Sequence, residues 1–212
     1  MSRSTYHHGN LAKALVEAGI DLARTGGPDA VVLREVARRA GVSPTAAYRH
    51  FAGQQDLLKQ IKHRATDMLA ERIRAALDTI PQSGNPQDVA IARLLAGARA
   101  YIDFARDEPG CFATAFRRTE GDTSFSDNDA EMAEDDAFRM VSSLVDGFVT
   151  AGLMAPENRP GAEFAAWSAV HGVAILLMEG PLRRLPTEVQ DAAAERTFHM
   201  IVEGLASPRR HT

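Results

Sequence analysis

The segment from Leu33 to Phe51, LREVARRAGVSPTAAYRHF, constrains the fold more than any other part of the chain. Its first half places apolar residues at i, i+3, i+4 and i+7, which predicts one buried stripe on a helix of about two turns. Gly41 then favours a left-handed helix end, and Ser43 followed by Pro44 is typical of an N-cap with proline at the first helical position. The pattern predicts two short helices separated by a tight turn.

The second of these helices is predicted to bury one side and to expose the other. Ala47 and Phe51 can pack inward. Two helices that meet at a steep angle through a turn containing glycine form the helix-turn-helix arrangement, whose second helix enters the major groove of DNA. An ordinary helical hairpin with a solvated face is the alternative interpretation. The outward residues are Thr45, Ala46, Arg49 and His50, with Tyr48 at the border.

The charge is divided unevenly along the 212 residues. Residues 1–64 contain 10 basic residues (Lys and Arg) and 5 acidic residues (Asp and Glu), which gives a net charge of +5. Residues 65–212 contain 14 basic and 23 acidic residues, which gives a net charge of −9. A basic first part attracts DNA phosphates, and an acidic remainder discourages binding through the wrong surface. Uneven solvation charge would produce the same numbers, so the charge pattern supports DNA binding only together with the motif.

The composition predicts a soluble globular protein with one large or two small domains, since 45% of the residues are hydrophobic. The longest apolar stretch, Ala165 to Met178, is interrupted by polar residues and is too short to span a bilayer. The first ten residues lack the apolar core of a signal peptide, and the lone Cys111 has no internal disulfide partner. We therefore expect a cytoplasmic protein without a membrane anchor.

Apolar residues recur at helical spacing along the whole chain, and breaks at glycine and proline divide them into about nine helices. A first helix is predicted from about residue 10 to 24, and a long helix follows the break at residues 52–54. The acidic stretch from Thr119 to Asp136 is predicted to be a loop. No alternating pattern is long enough for a strand, so the predicted fold class is all-α. The other predicted segments cover residues 89–105, 111–118, 138–153, 162–182 and 188–205.

Three pieces of this pattern resemble the DNA-binding domain of the TetR/AcrR family of bacterial transcriptional regulators: LREVARRAGVS, the aromatic YRHF from Tyr48 to Phe51, and the paired Leu57-Leu58. The run from Trp167 to Gly172, WSAVHG, resembles the TetR subgroup with a Trp/His/Gly signature. The resemblance implies a homodimer whose helix-turn-helix domain, residues 8–66, binds a palindromic operator in double-stranded DNA. It implies a helical ligand-binding and dimerisation domain over residues 67–212, and a repressor that a small molecule releases from DNA.

Carried over position by position, the resemblance implies base contacts from Thr45 and Ala46 and phosphate contacts from Tyr48 and His50. Arg49 is implied to contact a base or a phosphate. Two residues depart from the family pattern, because Gln54 replaces a common Lys and Val32 replaces a capping Thr or Ser. We expect weaker phosphate attraction, which Arg34 or the tail residue Arg3 could offset. The predicted DNA-binding residues are Arg34, Ser43, Pro44, Thr45, Ala46, Tyr48, Arg49, His50 and Gln54.

Apolar and aromatic residues in the second domain, with few polar groups among them, predict a small-molecule pocket. Ordinary core packing would explain each of them singly. Trp167 and His171 are four residues apart and share a helix face, so they present one polar group on an apolar wall, although a structural histidine explains the same spacing. The predicted ligand-binding residues are Phe104, Phe112, Phe116, Met140, Trp167 and His171.

No catalytic motif and no metal-ligand spacing is visible in the sequence, so we expect no enzymatic activity, cofactor or metal. Two other classes of function stay open: a helical enzyme or ligand-storage protein, and a protein-interaction module that docks through amphipathic helices. Tight ligand binding without duplex affinity would favour the first, and binding that survives loss of Arg49 and Tyr48 would favour the second. An activator, or a repressor without a ligand, would use the same architecture. By family analogy, the last two long helices are the expected dimer interface.

Overall fold

The computed structural model describes residues 5–117 and 136–206. Within these ranges the chain forms nine α-helices and no strand, which confirms the predicted all-α fold. Residues 119–135 of the loop predicted from Thr119 to Asp136, and the tail residue Arg3, lie outside the described residues. Asp136 is described and begins a helix, so the loop prediction is wrong at that residue. The helices are α1 (Thr5–Gly26), α2 (Leu33–Arg39), α3 (Pro44–Ala47), α4 (Gln54–Asp78), α5 (Pro86–Asp107), α6 (Pro109–Ala115), α7 (Asp136–Thr150), α8 (Ala162–Met178) and α9 (Thr187–Leu205).

The chain divides into two compact units. The first contains residues 1–68 and 108–131, and the second contains residues 69–107 and 132–212. Helix α4 therefore contributes its first part to one unit and its second part to the other. The short helix α6 packs with the first unit, although the sequence prediction grouped residues 67–212 in one C-terminal domain.

Helix α1 is central to the first unit, where it packs against α2 and α6. Its Leu15 and Ile20 are buried, together with Val36 of α2 and Ile61 of α4. Full burial of an aliphatic side chain of this size contributes about 1.5–3 kcal/mol. Gly19 lets α1 pass close to α4, because a Cβ at this position would lie 2.1 Å from the Cδ1 atom of Ile61.

Helix α6 lies against the end of α1. The Nε atom of Arg24 donates to the carboxylate of Glu108 at 2.9 Å, at the residue before α6. A Cβ at Gly110 would lie 2.0 Å from the backbone oxygen of Ala23, so only glycine permits this approach. The thiol of Cys111 is buried at the same junction.

The second unit is a bundle in which α5 packs against α7, α8 and α9, and α8 packs against α9. Arg99 of α5 donates twice to the carboxylate of Glu195 of α9, at 2.6 and 2.7 Å. This bidentate geometry is the strongest arrangement available to an arginine and a carboxylate. Among the described helices, none is both long and apolar enough to cross a membrane.

Candidate functional site

Helix α2 ends in the turn that the sequence predicts. Gly41 has a φ of 72°, in the left-handed region that glycine adopts without strain. The N–H of Val42 donates to the carbonyl of Ala37 at 2.9 Å, and the N–H of Gly41 donates to that of Arg38 at 3.1 Å. This pair of bonds is the Schellman motif, which satisfies carbonyls at a helix end. The predicted turn at Gly41 is therefore confirmed.

Helix α3 begins as predicted but is shorter than predicted. The Oγ atom of Ser43 accepts a hydrogen bond from the N–H of Ala46 at 3.2 Å, and Pro44 occupies the first helical position. The sequence interpretation extended this helix to Phe51, which is wrong, because α3 ends at Ala47. Beyond the helix, the N–H of His50 donates to the carbonyl of Ala47, three residues earlier, at 2.9 Å. That tighter spacing turns the chain sharply.

The expected division between buried and exposed residues holds in part despite the shorter helix, because two of the residues expected to face outward, Ala46 and His50, are half-buried. Ala47 and Phe51 are buried, whereas Thr45 and Arg49 are exposed. The ring of Tyr48 is 53% exposed, far more than an aromatic ring that packs in a core. Hydroxyl, guanidinium and phenol groups therefore cover the outer surface of α3 and the turn after it.

The arginines near this surface differ in whether they have a protein partner. Arg38 is bonded to Glu35, and Arg39 lies 3.5 Å from Asp21. Among the described residues, neither Arg34 nor Arg49 has an ion-pair or hydrogen-bond partner. Both are exposed, so their charges are available to an anionic partner such as DNA phosphate.

Gln54 is engaged by the protein backbone. Its Oε1 atom accepts a hydrogen bond from the N–H of Leu33 at 2.7 Å, and its Nε2 atom donates to the carbonyl of Val31. Val32, the N-cap of α2, makes no side-chain cap. Gln54 therefore supplies from α4 the capping bond that Val32 cannot supply. Sequence reasoning missed this role, although Val32 at an N-cap signalled that another residue had to satisfy α2.

An apolar cavity lies within the second unit, between α4, α5, α7, α8 and α9. It has about 480 Å³ of empty space, a volume that includes its open mouth. The lining residues are Ile73, Leu94, Leu95, Gly97, Ala98, Tyr101, Val141, Leu144, Ala166, Trp167, Val170, Phe198 and Ile201.

Three polar groups meet at one wall of this cavity. The Nε1 atom of Trp167 donates to the hydroxyl of Tyr101 at 3.3 Å. That hydroxyl and the Nδ1 atom of His171 are 2.7 Å apart and share a hydrogen bond whose direction depends on the tautomer of His171. Burial lowers the pKa of His171, which favours the neutral imidazole. The indole and imidazole rings lie side by side, with centroids 5.5 Å apart, as their four-residue spacing predicts.

The six residues predicted to bind a ligand are not brought together. Trp167 lines the cavity, and His171 reaches its wall through Tyr101. Phe104 is buried in the same unit but does not line the cavity, and neither does Met140. The remaining two, Phe112 and Phe116, belong to the first unit, where their ring centroids are 4.8 Å apart.

Tyr101 is the cavity residue that sequence reasoning missed. It lies on α5 at helical spacing from Leu94 and Gly97, which also line the cavity. A buried tyrosine needs a partner for its hydroxyl, and this requirement was the available signal. In the part of the chain that the structure describes, no group of three or more His, Cys, Asp or Glu residues is placed to hold a metal ion.

Comparison with known proteins places both units in one group of regulators. Residues 15–61 match the model of bacterial regulatory proteins of the tetR family, and residues 94–201 match a tetracyclin repressor-like C-terminal domain. YobS of Bacillus subtilis (strain 168), an uncharacterized HTH-type transcriptional regulator, is 22% identical over 81% of this chain and 81% of its own length.

Solved structures share the fold over nearly the whole chain. A Rhodococcus sp. RHA1 protein of unknown function has a TM-score of 0.73 and 26% identity, covering 97% of this chain and all of the other. A TetR family transcription regulator from Marinobacter aquaeolei VT8 has a TM-score of 0.66 and 17% identity, covering 96% of this chain and 99% of the other.

Proposed function

The chain belongs to the TetR family of bacterial regulatory proteins and is a DNA-binding transcriptional regulator, and on this premise we propose that it represses transcription from a palindromic operator until a small molecule releases it. We assign DNA binding to residues 8–66, and ligand binding and dimerisation to residues 67–212. A cytoplasmic location follows from this role, because the operator DNA lies there. The same assignment makes it a regulator and not an enzyme.

One observation carries the DNA-binding part of the proposal. Arg34 and Arg49 are exposed and have no ion-pair or hydrogen-bond partner among the described residues. Arg34 lies on α2, and Arg49 lies two residues after α3, the short helix that bears Thr45 and Ala46. Arginine can bond a phosphate or fork to a guanine edge, and the alanine methyl can contact the methyl group of thymine. Ser43, Pro44, Tyr48 and His50 are close to these residues in the sequence, so most of the predicted contact set lies between residues 43 and 50.

A palindromic operator requires two identical reading heads, which a two-fold dimer supplies. Helices α8 and α9 carry the apolar side chains suited to that interface. Leu176 is 42% exposed, Val189 is 47% exposed and Met200 is 63% exposed. Exposed apolar side chains on two packed helices are typical of a surface that a partner covers. We propose that two copies pair through these helices.

Light scattering tests the dimer directly. A particle of twice the 22.9 kDa chain mass is expected at micromolar concentration. Leu176→Glu should shift the protein toward the monomer, because it buries a carboxylate in the interface. Ser143→Glu, on the exposed face of α7, is the matched control and should leave the dimer unchanged. A monodisperse monomer of the unaltered protein would contradict the proposal.

Release by a ligand requires that the ligand bind one conformation of the dimer more tightly than another. The cavity beside Tyr101 is the proposed binding place, because its apolar lining comes from α4, α5, α7, α8 and α9, so a bound molecule would contact all of these helices. A ligand larger than the cavity would have to move the surrounding helices, and such movement can alter the spacing of the two DNA-binding units.

Selection from a library of randomised duplexes tests the proposed function. We expect enrichment of a palindrome whose half-sites are about one helical turn apart, with affinity that falls steeply as salt rises. An Arg49→Ala variant run in parallel controls for sequence-independent attraction to the basic unit. Binding without enrichment of any sequence would contradict the proposal and favour a protein without specific DNA recognition.

A further inference from the structure

The cavity in the second unit is apolar almost throughout. Its lining is made of aliphatic side chains, three small residues and three aromatic rings, Tyr101, Trp167 and Phe198. Among the described residues that line it, none carries a charged side chain. The wall therefore offers contact area and dispersion, and offers no counter-charge to an ion.

The polar atoms at the wall already bond to one another. Trp167 donates to the hydroxyl of Tyr101, and that hydroxyl is bonded to His171. An ion that enters the cavity loses hydrogen bonds to water. It could regain hydrogen bonds from the wall only by breaking those that join Trp167, Tyr101 and His171. Moving an ionised carboxylate or ammonium into such surroundings is strongly unfavourable unless a partner compensates it.

We propose that this cavity binds an uncharged, largely apolar small molecule and rejects carboxylates and amines of similar size. The proposal rests on the proposed function, since it names the chemical class of the releasing ligand. Its contacts are made by the aliphatic side chains and by the indole of Trp167, with the hydroxyl of Tyr101 as the nearest polar group.

The single tryptophan of the chain lines the cavity, so its fluorescence reports occupancy without a label. The probes are 1-octanol, octanoate and octylammonium at pH 7.5, all kept below the concentrations at which they aggregate. They share one alkyl chain and differ in the charge of one end. We expect saturable binding of 1-octanol that is at least about tenfold tighter than binding of either ion. Octanoate or octylammonium binding as tightly as 1-octanol would overturn the proposal, and so would the absence of saturable 1-octanol binding.

A charge placed in the wall gives a second test. Leu95 lines the cavity and is half-buried, so a lysine there can keep its stem in place and direct its amine inward. Leu95→Lys should raise the affinity for octanoate at least about tenfold relative to 1-octanol. Ile91→Lys, one turn earlier on α5 and outside the lining, is the matched control and should leave the preference unchanged. An unchanged preference in the folded Leu95→Lys protein would count against the cavity as the selective site.

These measurements use the free protein without DNA. A negative result with the three probes would overturn the ligand class and leave operator binding intact. If the proposed function is wrong, the duplex selection enriches no sequence, and this outcome does not depend on the results with the three probes. A third readout, the shift in Tm at saturating 1-octanol, should be positive because binding to the folded state stabilises it.

Discussion

The side-chain Oε1 atom of Gln54 accepts a hydrogen bond from the backbone N–H of Leu33 at 2.7 Å. Leu33 is the first residue of α2, so this N–H belongs to the group that a helix leaves without an internal partner. A second bond, from Nε2 of Gln54 to the carbonyl of Val31, fixes the chain just before the helix. Gln54 thereby positions α2, on which the turn and α3 are built.

Removing this side chain should destabilise the first unit. Gln54→Ala is expected to lower the free energy of unfolding by about 1–2 kcal/mol, because the N–H of Leu33 loses its bond. Urea denaturation measures the difference. Gln55→Ala, at the exposed neighbouring position, is the control and should change stability little.

The same explanation predicts a rescue. Val32 has extended backbone geometry at the N-cap, so Val32→Thr would place a hydroxyl oxygen where it can accept from the first turn of α2. Val32→Thr should restore part of the stability that Gln54→Ala loses. Equal stability of the Gln54→Ala and Gln55→Ala proteins would show that the bond does not position α2.

Gly110 should tolerate no larger residue. A Cβ there would lie 2.0 Å from the backbone oxygen of Ala23, so Gly110→Ala must displace α6 from α1 at a cost of about 1–3 kcal/mol. Gly147→Ala is the matched control, because a Cβ there meets nothing within 4 Å. We expect Gly147→Ala to be neutral or stabilising, by up to about 1 kcal/mol. Comparable destabilisation of both variants in urea would contradict the packing described for Gly110.

The reactivity of Cys111 should report the same junction. Burial raises the pKa of its thiol to about 11, so the thiolate is scarce at pH 8 and the sulfur is shielded. Labelling by a thiol-disulfide reagent is expected to be slow in the native protein and fast in urea. Gly110→Ala should accelerate native labelling, and Gly147→Ala should not. Rapid labelling of the unaltered native protein would show that α6 is not held against α1.

His171 should titrate below the ordinary pKa of histidine, because burial disfavours its charged form. Below about pH 6.5 the unfolded state therefore binds a proton at His171 more readily than the folded state does. The contribution of this residue makes the free energy of unfolding fall as the pH drops through that range. Proton NMR of the imidazole measures its pKa, and urea denaturation at pH 7.5 and 5.5 measures the loss. His171→Gln should reduce that loss, with His199→Gln as the exposed control. A pKa of His171 above 6.5 would contradict the buried neutral imidazole.

Much of the structure of α2, α3 and the turn between them could be predicted from local chemistry. Gly41 and Ser43 act on their immediate neighbours, so a turn and an N-cap can be read from a few residues. The length of α3 could not, because the bonds that close the turn around His50 depend on how Phe51 packs. The position of Gln54 depends on a contact 21 residues along the chain, and no local pattern encodes it.

The cavity was less predictable for a related reason. Aromatic residues at helical spacing suit any core, and only the packing of helices decides which ones line a space. Phe112 and Phe116 fit the expected composition yet belong to the first unit, because Gly110 allows α6 to lie against α1. Tyr101 and His171 are 70 residues apart, and their bond depends on how α5 packs against α8.

The residues proposed to read DNA give the sharpest mutational prediction. Arg49→Ala and Tyr48→Ala should each weaken specific operator binding while leaving the dimer intact, because both side chains are exposed and contribute little to packing. Light scattering establishes the dimer, and circular dichroism establishes the helical fold. Thr45→Ala should relax the sequence preference more than it lowers the affinity, since a hydroxyl contacts a base edge.

The central claim is that α3 and the exposed arginines Arg34 and Arg49 bind DNA, and a salt titration of operator affinity tests it most directly. The duplex selected above is titrated with the unaltered protein, Arg49→Ala and Arg38→Ala at several salt concentrations. Arg38 is the control, because it is bonded to Glu35 and is not in the proposed contact set. We predict that Arg49→Ala weakens specific operator binding by about 1–3 kcal/mol. The operator affinity of Arg38→Ala should stay close to that of the unaltered protein. Equal operator affinity and salt dependence for the unaltered protein and Arg49→Ala would contradict this account of the interface.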